Sequence, residues 1–140
     1  MTPYLHRDRV RWSDCDPLGI IYYGAWVRFF EGAEHDLFRE AGLPFERFRV
    51  QEGIWLPRKH FEVEFHAPAK MDELIEIRAS IARIGTTSLT MRFEGYGVEN
   101  GEHKATGLLT VVCVAKEGLV KFPIPDWVRE ALAPYTDATP

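Results

Sequence analysis

The chain has 140 residues, 46% of them hydrophobic and 27% charged, a balance that suits one compact globular domain and leaves little length for a second. With 17 Lys and Arg against 21 Asp and Glu, the formal net charge is −4, so the broad basic field used in non-specific nucleic-acid binding is absent. No run approaches the roughly 18 apolar residues of a membrane span, and the first residues lack the apolar core of a secretory signal; a soluble cytoplasmic protein without nucleic-acid or membrane contacts is expected. Cys15 and Cys113 stand far apart in dissimilar contexts, which provides neither zinc spacing nor a disulfide framework and predicts two free thiols.

Residues 4–13 read as a first strand, broken by the Asp16-Pro17-Leu18-Gly19 run. From Tyr23 to Ala41, Trp26, Phe29, Phe30, Ala33, Leu37, Phe38 and Ala41 recur at helical spacing, with charged residues on most of the other face. The spacing predicts a long amphipathic helix, stopped by Gly42 with Pro44 close behind. Its wide aromatic stripe needs a broad apolar surface, which a sheet provides.

Residues 58–66 alternate, with Phe61, Val63 and Phe65 on an apolar face and His60, Glu62, Glu64 and His66 on the other. A second strand follows through Ile75, Ile77, Ala79 and Ile81, a turn at Gly85-Thr86-Thr87, and a third strand over 88–98. Asn100-Gly101 signals a tight hairpin into a last strand over 104–116. A short C-terminal tail, 121–140, carries one helical segment around 126–132. The order of strand, long helix and four antiparallel strands predicts an α+β domain with a core over about 4–120.

Asp16 is the leading candidate for chemistry, because it stands just before the long helix. A helix N-terminus supplies unpaired N–H groups and a partial positive end that can hold a developing oxyanion, while a neighbouring carboxylate can attack a carbonyl or activate water. No Ser, Thr, Asp or Asn immediately precedes Tyr22 or Tyr23, so the first helical N–H groups are expected to lack a side-chain cap. Asp-Pro-x-Gly is also a common turn, in which the carboxylate merely accepts backbone N–H groups.

The segment Asp14-Cys15-Asp16-Pro17-Leu18-Gly19-Ile20-Ile21-Tyr22-Tyr23 resembles the active-site segment of the 4-hydroxybenzoyl-CoA thioesterase family, in the branch with an aspartate before the helix. Phe65-His66-Ala67-Pro68-Ala69-Lys70 and Gly85-Thr86-Thr87-Ser88-Leu89 look like the family's later strand and turn signatures, so the likeness spans about residues 5–120. The resemblance implies a hotdog fold, a long central helix wrapped by an antiparallel five-stranded sheet. It also implies an acyl-CoA thioesterase working as a homodimer or homotetramer with the site between subunits. No metal or cofactor is implied, coenzyme A being part of the substrate.

Carried over by position, Asp16 matches the catalytic carboxylate, as nucleophile or general base, and Tyr23 the residue whose N–H polarises the thioester carbonyl. Gly19, Tyr22 and Trp26 are the expected substrate contacts, Trp26 being equally a core residue by its place on the apolar stripe. Many relatives put a His or Asn near the Asp and a second Tyr in the first helical turn, where this chain has Tyr23 and Trp26. A basic run that helps hold the nucleotide in the aromatic-CoA enzyme is represented here by Arg83 alone, so either Arg58, Lys59 or Arg92 supplies phosphate contacts or the carrier is not coenzyme A.

Rival assignments are weaker. Cys15 is flanked by carboxylates that disfavour a thiolate, and Asp14 reads as a structural or surface residue. His60, Glu62, Glu64 and His66 share a strand face, but alternate residues about 6.6 Å apart make an awkward metal shell. The alternatives from other classes are a non-catalytic acyl-binding or scaffold protein, and hydrolysis of acyl-carrier-protein thioesters.

Overall fold

The computed structural model describes residues 1–137. Five strands form one antiparallel sheet: β1 (Tyr4–Arg9), β3 (Arg58–Phe65), β4 (Leu74–Ile84), β5 (Ser88–Gly97) and β6 (His103–Val112), in the spatial order β1-β4-β5-β6-β3. Two short strands, β2 (Ile54–Trp55) and β7 (Val114–Ala115), pair separately. Helix α1 (Trp26–Glu40) lies against the sheet and α2 (Asp126–Leu132) closes the described chain, followed by a single 3-10 turn. This is the hotdog arrangement expected from the sequence.

The inner face of the sheet is apolar: Ile75, Ile77, Ala79 and Ile81 of β4 are fully buried, as are Phe93 of β5 and Val111 of β6. Trp26, Phe29, Phe30, Ala33, Leu37 and Phe38 of α1 cover that face and are at most 2% exposed. Helix and sheet approach closely because two glycines lie beneath the largest rings. A Cβ on Gly107 would sit 2.7 Å from the Phe30 ring, and one on Gly95 3.0 Å from Trp26. Phe30 then stacks on Phe93 at 5.2 Å between centroids. Ile124, Val128 and Leu132, from the segment read as a tail, are buried in the same core.

Helix α1 ends where Gly42 was expected to stop it. Leu43 N–H donates to Phe38 O at 2.7 Å and Gly42 N–H to Arg39 O at 3.1 Å, the paired bonds of a Schellman stop. Its start differs from the periodicity: Tyr23–Ala25 form a 3-10 turn and the α-helix begins at Trp26, since the chain must turn out of the preceding loop before it can enter a regular helix. For the same reason β1 is shorter than 4–13; Trp12–Asp14 already form a 3-10 turn. The Asn100-Gly101 hairpin is present but looser than a two-residue turn, the last cross-strand pair being Tyr96 with His103.

β3 departs from its expected burial. Phe61 is 40% and Phe65 55% exposed, because β3 pairs only with β6 and stands at the sheet edge. Alternation placed its apolar face correctly, Phe61 meeting Phe30 edge-on at 6.2 Å, but an edge strand lacks the outer neighbour that would complete the cover.

Candidate active site

Residues 14–22 form a small hairpin that delivers the chain into α1. Tyr22 N–H donates to Asp14 O at 3.0 Å, Cys15 bridges Ile21, and Asp16 N–H donates to Ile20 O at 2.9 Å. At the tip, Gly19 N–H donates to Asp16 O at 2.9 Å, and Gly19 has φ of +79°, a conformation that costs a residue bearing Cβ. The Asp16 Oδ1 accepts Leu18 N–H at 2.9 Å, an Asx turn that uses one carboxylate oxygen and orders the side chain. Asp16 is half-buried.

The other arm of the hairpin runs into the 3-10 turn. Tyr22 has extended dihedrals (φ −80°, ψ 152°) and neither it nor Ala25 caps the helix through a side chain. Ala25 N–H returns to Tyr22 O at 3.0 Å, whereas the Tyr23 and Gly24 N–H groups take no hydrogen-bond partner among the described residues. Asp16 therefore stands on one arm of the hairpin, and the two unpaired donors lie just beyond the end of the other.

A second loop braces that hairpin. Ile21 N–H donates to Ala69 O at 2.8 Å, Ile20 bridges Lys70, and Met71 N–H reaches Gly19 O at 3.3 Å. This loop is tied in turn to the β5–β6 hairpin by Lys104, whose side chain is 3% exposed and contacts Pro68 O at 2.9 Å, Glu102 at 2.5 Å and Glu73 at 3.2 Å.

Beside the hairpin lies a cavity of about 310 Å³ whose lining includes Ile20, Ile21, Tyr23, Trp26, Phe65 and Pro68. Tyr23 is exposed, while Trp26 is 2% exposed and shows only an edge to the cavity, the rest of its indole packing on Phe29 and Phe30. Asp16, Gly19 and Tyr22 lie in the hairpin but do not line this cavity. A larger cavity of about 490 Å³, lined by Phe45, Phe48, Trp55, Leu56 and Pro57 among others, opens beyond the C-terminal end of α1 and includes none of them.

Asp14 is buried at 4%, not on the surface. Its carboxylate is held by Arg28, whose Nε donates to Oδ1 at 3.0 Å and Nη2 to Oδ2 at 2.6 Å, while Arg11 N–H donates to Oδ2 at 2.7 Å. Burial raises the Asp14 pKa more than any one contact lowers it, but the Arg28 hydrogen bonds, the Arg11 N–H and the charges of Arg28 and Arg11 together outweigh burial and hold the carboxyl below its usual range. Sequence reading missed this pair. A signal was present: Arg28 sits in the first turn of α1, where the positive helix end disfavours a cation that has no acidic partner.

Cys15 donates weakly to Arg11 O at 3.5 Å. Its thiol pKa is raised by desolvation and by the charges of Asp14 and Asp16, which suits a packing residue. His66 Nε2 is engaged with Thr106 Oγ1 at 2.9 Å, and His60 is 3.9 Å from Glu62. Of the candidate phosphate contacts, Arg58 is committed to the buried Glu34 through two bonds of 2.8 and 2.6 Å, Arg92 lies 3.7 Å from Glu94, and Lys59 is exposed.

Comparison with known proteins agrees with this architecture. The chain is similar to the acyl-CoA thioester hydrolase YbgC of Escherichia coli, with 30% identity over 106 residues that cover 76% of this chain and 78% of that protein. It is similar to a 1,4-dihydroxy-2-naphthoyl-CoA hydrolase of Thermosynechococcus vestitus at 23% identity, covering 94% of each. Among solved structures, a thioesterase superfamily protein of Jannaschia sp. CCS1 superposes with a TM-score of 0.88 at 27% identity, covering 97% of this chain and 94% of that one. Residues 10–132, which contain the hairpin, α1 and four of the five strands of the sheet, β1 lying just before them, match the profile of the Thioesterase-like superfamily, and the chain belongs to that family.

Proposed function

We propose that this protein is a thioester hydrolase acting on acyl-CoA, with Asp16 as nucleophile or general base and the Tyr23 N–H as oxyanion donor. The observation that carries the reading is the hairpin that bears Asp16 on one arm and opens on the other into the unpaired Tyr23 and Gly24 N–H groups. Names given to similar proteins, an acyl-CoA thioester hydrolase and a naphthoyl-CoA hydrolase, support the substrate class.

On this reading the thioester carbonyl oxygen lies against the Tyr23 N–H, which stabilises the negative charge that develops as the carbonyl carbon becomes tetrahedral. As nucleophile, Asp16 forms a C–O bond to that carbon. The C–S bond breaks, the coenzyme A thiolate leaves with the electron pair, and water cleaves the resulting anhydride to free acid and restored carboxylate. As general base, Asp16 instead takes a proton from the water that attacks directly. A thiolate leaves readily, so neither route needs a strong acid on the leaving group. Gly19 and Tyr22 shape the approach, and the cavity at Tyr23 and Trp26 takes part of the substrate. No cofactor enters this scheme. The working unit is taken to be one domain spanning the chain, in the cytoplasm, as a homodimer or homotetramer; the open β3 edge, with Phe61 and Phe65 exposed, supports association.

The test is steady-state hydrolysis of aliphatic and aromatic acyl-CoAs by wild type and Asp16→Asn. A loss of a hundredfold or more in a folded Asp16→Asn protein, about 2.7 kcal/mol of barrier, supports the reading. Equal turnover by both proteins removes Asp16 from the chemistry. Absence of turnover on every CoA ester, with turnover on carrier-protein thioesters, transfers the activity to that substrate.

A further inference from the structure

Asp14 and Arg28 take no part in the scheme above, yet they are the strongest link between its two halves. The hairpin that carries Asp16 has no side-chain cap joining it to α1. What joins them is one guanidinium. Arg28, in the first turn of α1, grips both oxygens of Asp14 at 3.0 and 2.6 Å, sends Nη1 to Asp8 Oδ2 at 2.6 Å, and sends Nη2 to Arg9 O at 3.2 Å. The end of β1, the base of the hairpin and the start of the helix are thereby pinned at a single group.

The pinning acts directly on the two groups assigned to catalysis. Asp14 O accepts the Tyr22 N–H, the residue before Tyr23, and Cys15 between Asp14 and Asp16 is extended, with φ −102° and ψ 150°. A single extended residue therefore separates the pinned Asp14 from Asp16, so a shift of Asp14 is carried along the backbone to Asp16. A bidentate carboxylate–guanidinium contact fixes both distance and plane, which a single contact cannot do. Displacement by about 1 Å can cost around a hundredfold in rate where the reacting groups must be aligned.

We infer that Asp14 and Arg28 are positioning residues that set the Asp16 carboxylate against the Tyr23 N–H. This rests on the assignment of Asp16 and Tyr23 proposed above. Arg28→Lys retains the charge and loses the fork; Asp14→Asn retains the shape and loses the charge. Neither touches the thioester, so the expected pattern is a fall in kcat with little change in KM.

The experiment measures kcat and KM on the best acyl-CoA, together with amide hydrogen exchange, for wild type, Asp14→Asn, Arg28→Lys, Arg28→Ala and Asp16→Asn. Glu76→Gln serves as the control, because Glu76 is a buried carboxylate, 8% exposed, paired with Arg7 and Arg78 away from the hairpin. Asp14→Asn and Arg28→Lys are expected to lose at least tenfold in kcat with KM within threefold. The Asp16 and Tyr22 amides, which donate the two bonds across the hairpin, should exchange at least tenfold faster while those of β4 and β5 stay protected. Added guanidinium at millimolar concentration should restore Arg28→Ala severalfold, and Glu76→Gln should keep kcat within twofold despite a lower Tm.

A kcat within twofold of wild type in both folded variants overturns the inference, as does unchanged exchange in the hairpin. So does an equal kcat loss in Glu76→Gln at equal loss of Tm, which would make the effect general destabilisation. Loss of activity in Asp16→Asn with full activity in Asp14→Asn and Arg28→Lys refutes the positioning role alone. Full activity in Asp16→Asn refutes the catalytic assignment and the inference together.

Discussion

Replacement of the two central helix rings gives a direct measure of how the fold is held. Phe29 is fully buried and Phe30 is 2% exposed, and each ring sits among others: Phe29 against Trp26 at 5.6 Å and under the Arg28 guanidinium at 4.4 Å, Phe30 against Phe93 at 5.2 Å and Trp26 at 5.8 Å. Truncation of a buried Phe to Ala loses its transfer free energy and leaves a void that the neighbours only partly fill, about 3–5 kcal/mol together. The two positions differ in what surrounds them. Phe30 already borders a cavity of about 160 Å³ near the exposed edge at Phe61, so the space vacated there can merge with it and take water. Phe29 lines neither this cavity nor the two described above.

Phe29→Ala is therefore expected near the top of that range and Phe30→Ala near the bottom. With each kcal/mol worth about 2–4 °C in a chain close to this size, a loss of about 4 kcal/mol lowers Tm by about 8–16 °C. Against a total of about 7–20 kcal/mol for a domain of this length, either variant should still fold at 20 °C. Thermal unfolding followed by circular dichroism, with urea midpoints alongside, checks both values. A Tm within about 2 °C of wild type for both variants would refute the packing of α1 on the sheet; a larger loss in Phe30→Ala would refute the argument from the adjoining cavity.

Three further outcomes follow from single residues. Asp8, Asp14 and Glu76 would be raised by burial, but hydrogen bonds from Arg28, and for Glu76 from Arg78 and Arg7, carry them below their usual values. Their stabilisation is thus complete above the unfolded values near pH 4 and lost as pH falls through the folded ones, while burial raises Glu34 despite Arg58, so its protonation adds stability as pH falls. Urea midpoints from pH 7 down to pH 5 should show Glu34→Gln losing ground relative to wild type; a constant difference would contradict the raised Glu34. Gly19→Ala meets no atom within 4 Å, so its cost is the positive φ alone, about 1–2 kcal/mol, and an unchanged Tm would mean the hairpin tip relaxes freely. Alkylation at pH 7, read by mass spectrometry, should label Cys15 much more slowly than a free peptide thiol and Cys113, 1% exposed and raised by burial, only after unfolding; rapid labelling of Cys15 would revive it as a nucleophile.

The helix, its Gly42 stop, the succession of strands along the chain and the C-terminal segment over 126–132 were legible in the sequence, because each depends on periodicity and turn chemistry within a few residues of itself. The missing side-chain cap at Tyr22 was legible for the same reason. Asp16 was singled out by its place before the helix and, with Tyr23, by motif resemblance, but their hairpin was not visible, since its bonds join Asp14 to Tyr22 and Asp16 to Ile20 across a turn whose path depends on Gly19 and on the loop at Ala69.

Tertiary structure alone decided what those residues face. Alternation along β3 assigns Phe61 and Phe65 to one face but says nothing of a strand's place in the sheet, and only its position at the edge leaves them exposed. The β2–β7 pairing joins residues about sixty apart, and Lys104 is buried because Glu73, Glu102 and Pro68 O converge on it from two loops. Asp14 reads as a structural or surface residue and Arg28 as a helix-face base, and they become one part-buried pair only when the hairpin folds over the first turn of α1. Local sequence specifies the shape of each element, whereas a charge's partner depends on which elements stack, a property of the whole chain at once.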